Sequence, residues 1–416
     1  MDKAFAKENL SRKVPSRRPC ILFFGEAVTL SHVVRPIVLA RALDPTIYDI
    51  RVACHPRYNH LFGSLSSVLQ PIHSISSELF LDRLRSGNPL WNIRELRGYV
   101  KEDLEVIRDF APDLIVGDWR LSLAISARLA KIPYVALNNA YWSPYAARRF
   151  PAPDHPALHI VGLKIFALCF ALVRPIAFAY HSLPLNRARR EYGLPLLGFD
   201  LVTVYSDGDY VLYVDVPEMV PIMNLPDHHR YLGPVLWSPA IARPDWWEQV
   251  PRDRPVIYVN LGSSGQARVL PVILDALSSL PVTVIAATAG PSQLDRVPAN
   301  ALVADYLPGE EAAKRADLAI CNGGSPTTQQ ALASGIPVLG VAELMDQLLN
   351  MQAVCSAGAG EVIRASQANA ENIRSSVTKM LRQSTYAEAA KVIASIFAKY
   401  DAPSRFREII KNLVGP

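Results

Sequence analysis

The sequence predicts an α/β protein with two doubly wound parallel sheets, on three observations. Short apolar runs ending in glycine or polar tips alternate with helix-like stretches, the mark of βαβ units. At 416 residues the chain exceeds one ordinary core and suits two domains of roughly 200 residues each. The pattern also restarts. Trp237–Arg254, with Pro239, Pro244, Pro251 and the pair Trp246-Trp247, separates two blocks, and a second βα series opens at Pro255.

In the first block Cys20–Gly25 reads as a strand, followed by a loop and an amphipathic helix from Ser31 to about Leu43. Tyr48–Cys54 is a second strand, and Asp113–Gly117, Leu121–Lys131 and Pro133–Asn138 give strand, helix and strand. The aromatic- and proline-rich stretch Ala140–Asn186 breaks the rhythm, which short apolar segments restore at Asp209–Val214 and Arg230–Val235. In the second block Val256–Leu261, Val282–Thr288, Ala301–Leu307, Leu318–Cys321 and Pro337–Ala342 are strands, and the chain from Ala387 onward reads as helix. The expected division is a leader (1–19), a first domain (20–236), a linker (237–254), a second domain (255–385) and C-terminal helices (386–416) packing back toward the first domain.

Half of the residues are hydrophobic and 19% are charged, which excludes disorder. Part of the net charge of +5 lies in the leader, where Lys3, Lys7, Arg12, Lys13, Arg17 and Arg18 face only Asp2 and Glu8. That reads as a solvated leader and not a nucleic-acid arm. The five cysteines have no CxxC spacing, so no zinc site is expected, and they suit a reducing compartment. The first nineteen residues lack an apolar h-region, so the expected location is cytoplasmic. The apolar stretch Ala157–Ala179 is interrupted by Lys164, Arg174 and Pro175, and Ile165–Val173 falls short of the ~20 residues that span a bilayer. A buried helix is its simplest reading, and docking at a membrane surface is a further one.

The chemistry concentrates in Cys321–Asn350. One strand runs into Asn322-Gly323-Gly324-Ser325-Pro326-Thr327-Thr328, where glycine N–H groups and threonine hydroxyls can hold a diphosphate at a helix N-terminus. About 20 residues later a second strand ends before Asp346-Gln347, a pair suited to sugar hydroxyls. The turn Gly262-Ser263-Ser264 lies in the same context and matches neither a P-loop nor a dinucleotide fingerprint. All nine histidines precede residue 230, so a histidine base must come from the first half. His32 follows the first strand's loop, at the edge where ligands bind, and Asp118 ends another strand of that edge. The structural alternatives are a surface histidine at a helix start and a helix N-cap. Asp207-Gly208-Asp209 has the spacing of a metal-binding DxD, but such turn-forming pairs are frequent and no metal role is assigned to it.

Asn322–Thr328, Gln330, Asp346-Gln347 and Asn350 together resemble the donor signature of family 1 glycosyltransferases. The resemblance extends to Asn260–Ser264, Tyr306–Pro308, Pro112–Asp118 and Ser31–Leu43, and covers about residues 20 to 385. It implies the GT-B arrangement of two Rossmann-like domains, a nucleotide-sugar co-substrate and no metal. By position it implies Tyr306, with Leu307, against the base, Gln330 on the ribose, and Thr327, Ser264 and their neighbours Ser263, Gly323, Gly324 and Thr328 at the diphosphate. Asp346 and Gln347 would hold the donor sugar, and retention of Gln347 favours a hexose such as glucose, with UDP-glucose the expected donor. Asn322 replaces the family's histidine and Ser31 its usual glycine. His32 takes the base position and Asp118 that of the aspartate orienting it. The region of Trp142, Phe166 and Phe170 corresponds to the pocket for an apolar, hydroxyl-bearing acceptor. The expected reaction is therefore inverting sugar transfer, against a non-catalytic activator of another enzyme or a sugar-nucleotide epimerase of similar fold.

Overall fold

The computed structural model describes residues 17–154, 162–262, 268–288, 290 and 294–415. In chain order they form β1 (Cys20–Gly25), α1 (Ser31–Ala42), β2 (Asp49–Cys54), β3 (Leu69–Pro71), α2 (Ser77–Ser86), α3 (Ile93–Phe110), β4 (Leu114–Asp118), α4 (Leu123–Ala130) and β5 (Tyr134–Asn138). There follow α5 (Leu163–Glu191), α6 (Leu201–Tyr205), β6 (Tyr210–Tyr213), β7 (His229–Tyr231), β8 (Val256–Asn260), α7 (Val269–Ser278), β9 (Thr283–Ala287) and β10 (Ala301–Ala304). The rest is α8 (Gly309–Arg315), β11 (Leu318–Cys321), α9 (Ser325–Ala333), β12 (Val338–Ala342), α10 (Met345–Ser356), β13 (Gly360–Arg364), α11 (Ala370–Arg382), α12 (Ser384–Phe397) and α13 (Ala402–Val414).

The chain forms two compact units. The first holds the residues up to Ala147, Val173–Val235 and Tyr400 onward; the second holds Arg148–Leu172 and Leu236–Lys399. In the first unit the sheet order is β3-β2-β1-β4-β5-β6-β7, every neighbour parallel. Strands β1, β4 and β5 are buried along their whole length, as expected where helices cover both faces. Winding reverses between β1 and β4, so a crevice opens at the carboxyl ends of those two strands. Helix α13 packs on α1, and Phe406 and Ile410 join the core under β1.

In the second unit the order is β10-β9-β8-β11-β12-β13, again all parallel, with the reversal between β8 and β11. The segment expected to be a linker is pinned here: Trp247 is buried, Arg315 donates to the Val250 carbonyl, and Gln330 donates to that of Trp237. The expected C-terminal helices are α12 and α13, the first beginning at Ser384. The chain leaves α12 in the second unit and starts α13 in the first, where Asp401 caps the new helix through the Ser404 N–H.

Helix α5 corrects two expectations. It runs unbroken for 29 residues through Pro175 and Pro184, so it is long and apolar enough to cross a membrane. Counting only the uninterrupted apolar run underestimated it, because a proline removes one hydrogen bond and kinks a helix without necessarily ending it. Nor is it a core helix: only 6% of its most apolar window is buried.

Candidate active site

At the first reversal point, the loop after β1 leads into α1 and places His32 near its start, while Asp118 is the last residue of β4. Asp118 is fully buried and its Oδ1 lies 2.8 Å from His32 Nδ1. Arg35, one helical turn on from His32, grips the same carboxylate twice, Nε to Oδ2 at 2.7 Å and Nη2 to Oδ1 at 2.8 Å. Its Nη1 donates to Asn139 Oδ1 at the end of β5. Burial pushes the Asp118 carboxyl up, but Arg35 and then His32 outweigh it and hold the group below the ordinary carboxylate range. An ionised oxygen facing an unprotonated ring nitrogen would set lone pair against lone pair. We therefore assign the proton to Nδ1, which leaves the Nε2 lone pair to accept a substrate proton. Arg35 Nη2 lies 2.9 Å from Nδ1 and can only donate, so with Nδ1 protonated it is Asp118 Oδ1, 2.8 Å from each, that accepts from both.

An aromatic cluster backs the histidine through Trp119. Trp119 stacks on His32 with centroids 5.1 Å apart, and Tyr205 packs on Trp119 at 4.7 Å. Trp142 reaches the group through Tyr205 at 5.3 Å, and Phe80 and Trp91 flank Trp119. Trp119 has φ of +61°, unusual for a bulky residue and characteristic of functional sites. Of the expected acceptor residues, Trp142 belongs to this cluster, whereas Phe166 and Phe170 lie half-buried on the part of α5 grouped with the second unit. Trp119, Tyr205 and Arg35 were missed by sequence reasoning; the only available signal was the adjacency of Trp119 to Asp118.

Arg120, the next residue, is fully buried. It pairs with Glu26 at 3.2 Å, Asp103 at 2.9 Å and Glu102 at 3.0 Å, and its guanidinium lies 3.9 Å from the Tyr99 ring centroid. Burial raises both Glu26 and Asp103 despite this cation. The Asp207-Gly208-Asp209 carboxylates are likewise committed to arginines: Arg128 with both, and Arg189 with Asp207 at 3.9 Å.

At the second unit's reversal point, β11 ends at Cys321 beside Asn260 of β8, and the glycine turn follows. Gly323 has φ of +80°, and a Cβ there would come within 2.8 Å of Met351, so only glycine fits. Asn322 Oδ1 accepts the Gly324 N–H at 3.0 Å, an Asx turn that shapes the loop, while Nδ2 lies toward Gly262 at the end of β8. Asn322→Ala is expected to weaken diphosphate binding roughly tenfold by freeing that turn. Asn322→His, which keeps a side-chain acceptor, should stay close to wild type; calorimetric titration with UDP and TDP checks both.

The other donor residues divide. Thr327 is partly exposed in the first turn of α9, and Tyr306, 55% exposed, presents its ring just past β10. Asp346 is half-buried in the first turn of α10. Thr328, in contrast, is buried; its hydroxyl donates to the Gly324 and Ser325 carbonyls and accepts from Asn350. Asn350 also donates to the Gly323 carbonyl at 2.8 Å, tying the two turns together. Gln330 lies against Gly309 and donates to Trp237, Leu307 is buried, and Gln347 Oε1 accepts the Glu343 and Leu344 N–H groups as a helix cap. These four side chains are thus committed to the fold in this structure, because their hydrogen-bonding groups or surfaces already have protein partners. Ser263 and Ser264 lie outside the described residues.

Residues 271–415 match the family "Erythromycin biosynthesis protein CIII-like, C-terminal domain". A PGL/p-HBAD biosynthesis glycosyltransferase of Mycobacterium tuberculosis is 53% identical over 389 residues, 94% of this chain and 91% of its own. A PGL/p-HBAD biosynthesis rhamnosyltransferase of Mycobacterium bovis is 52% identical over 384 residues, 92% and 85% of the two chains. A third relative from that species, 52% identical over 269 residues (65% of this chain, 74% of its own), is called an inactive PGL/p-HBAD biosynthesis glycosyltransferase. Among solved structures, spinosyn rhamnosyltransferase SpnG superposes with a TM-score of 0.69 at 17% identity, covering 95% of this chain and 100% of its own. SpnG has also been solved with thymidine diphosphate and with spinosyn aglycone.

Fold and sequence agree on the class, a glycosyltransferase of GT-B architecture. Within it, the chain belongs to the natural-product type, alongside the mycobacterial PGL/p-HBAD glycosyltransferases that it matches over most of its length.

Proposed function

We propose that the chain transfers a hexosyl unit, with inversion, from a nucleoside-diphosphate sugar to a hydroxyl of an apolar acceptor. The observation that carries this reading is His32, whose Nδ1 is held 2.8 Å from buried Asp118 at the reversal point of the first sheet. With Nδ1 so fixed, Nε2 takes the acceptor's proton as its oxygen attacks the anomeric carbon, and the bond to the diphosphate breaks in the same displacement. The leaving diphosphate is met by the first turn of α9 and the Thr327 hydroxyl, in a loop that the Gly323 and Gly324 N–H groups shape by donating to Cys321 Sγ and Asn322 Oδ1. This route requires neither a metal nor another cofactor, so a chelator should not slow it. Trp119, stacked on His32 and backed by Tyr205, suits an apolar acceptor. We keep the expected cytoplasmic location, to which five free cysteines are suited.

For the donor we favour a 6-deoxyhexose of the rhamnose type over glucose. Gln347 was the reason to expect glucose, but its Oε1 is already committed to the cap of α10, which leaves fewer acceptors for sugar hydroxyls. The 52%-identical rhamnosyltransferase points the same way, and the SpnG complex favours thymidine over uridine diphosphate.

Purified protein incubated with UDP-glucose, TDP-glucose and TDP-rhamnose, and a mixed library of hydrophobic phenols and alcohols, tests this by mass spectrometry. The expected product carries one deoxyhexosyl unit. A glucosyl product, one oxygen heavier, would overturn the donor assignment. Nucleotide binding without any transfer would favour the non-catalytic reading, which the inactive relative gives a precedent.

A further inference from the structure

The exposed face of α5 is the largest feature that sugar transfer leaves unused. Ile165, Leu168, Leu172 and Ile176, spaced at helical intervals, share one face and are 59% to 74% exposed. Phe166, Phe170, Arg174 and Ala177 occupy the opposite, half-buried side. Continuing the exposed face toward the C-terminus brings Arg187 and Arg190 onto the same line, both exposed. From Gly162 to Arg190 the sequence has Lys164, Arg174, Arg187, Arg189 and Arg190, and neither aspartate nor glutamate. The next carboxylate, Glu191, is held by Arg97 at 2.6 Å. An aliphatic stripe leading into basic side chains has the chemistry of a helix lying at an anionic lipid surface.

Spanning is the poorer reading. The last third of α5 is committed to the protein: Phe178, Leu185, Asn186 and Arg189 are buried, and Asn186 and Arg189 donate to the Gly198 and Pro195 carbonyls. The apolar stretch that carries the exposed face, Ile165–Ile176, is about 12 residues, roughly 18 Å long, against the ~30 Å of a hydrocarbon core.

We propose that this face of α5 docks the protein on anionic membranes, with Ile165, Leu168, Leu172 and Ile176 in the headgroup layer and Arg187 and Arg190 on lipid phosphates. The proposal is independent of which sugar is transferred. Full-length protein is sedimented with vesicles of phosphatidylcholine alone or of phosphatidylcholine mixed with anionic phosphatidylglycerol. Binding should be confined to the anionic vesicles and weaken with salt. Leu168→Ser/Leu172→Ser/Ile176→Ser and, separately, Arg187→Glu/Arg190→Glu should each lower the partition constant by roughly tenfold or more, with circular dichroism and TDP affinity unchanged. Equal binding to both vesicle types, or indifference to either variant, would overturn it. A wild-type dimer that the triple serine variant turns into a monomer would show that the face meets a second copy instead. Resistance to alkaline and high-salt extraction would show insertion, and would also refute surface docking.

Discussion

His32→Ala is expected to abolish sugar transfer, lowering kcat by roughly 10²–10⁴, while leaving nucleotide affinity intact. The rate falls because no other group replaces the Nε2 lone pair. Among the described residues of the crevice, Asp118 is buried and Arg35 is a cation, and neither is suited to take a proton from the acceptor. The fold should tolerate the change. Removing the imidazole does not orphan the buried carboxylate, because Arg35 still grips both of its oxygens. The nucleotide should bind unchanged because the turns proposed to hold it belong to the other unit. Stopped assays with the preferred donor, together with calorimetric titration of TDP, check both halves. Turnover like that of wild type would remove His32 from the mechanism.

The second large effect is on stability. Arg120→Met is expected to cost roughly 3–5 kcal/mol at pH 8, as when one partner of a buried ion pair is deleted. Methionine fills similar space but leaves Glu26 and Asp103 without the cation that opposes their burial. Both carboxyls are already raised in the folded protein, and losing Arg120 raises them further. A raised folded-state value means that the native state binds more protons than the unfolded one, so stability falls as pH rises. The deficit should therefore be largest at pH 8 and shrink toward pH 5, where the carboxyls can be protonated. Urea unfolding of wild type and variant at both pH values measures this, and a pH-independent difference would contradict it.

Much of the fold is legible in the sequence because its signals are local. The runs Cys20–Gly25, Leu318–Cys321 and Val338–Ala342 are short, apolar and followed by turn residues, so each declares a buried parallel strand without knowledge of its neighbours. His32 and Asp118 are legible too, since both follow strands and ligands gather at that edge. Arg35 is not. Four residues beyond Ser31 it reads as an ordinary helical arginine, and its role appears only once β4 lies beside β1 and Asn139 follows β5. The donor motif shows the converse limit. It locates the turns, but Thr328, Gln330 and Gln347 spend their polar atoms on Asn350, Trp237 and the cap of α10. A motif records which residues stand in a loop, not which of them face outward.

The sequence by itself determined two alternating strand–helix blocks, their glycine-bearing edges and the confinement of every histidine to the first half, because periodicity and turn residues act over a few positions. Only the tertiary structure decided what those edges contain. Asp118 meets His32 from 86 residues away, and Asn350 reaches Gly323 from 27. The same holds for α5: an apolar helix is expected to be buried, yet exposure depends on what packs against it, and along Ile165–Ile176 one whole face remains open.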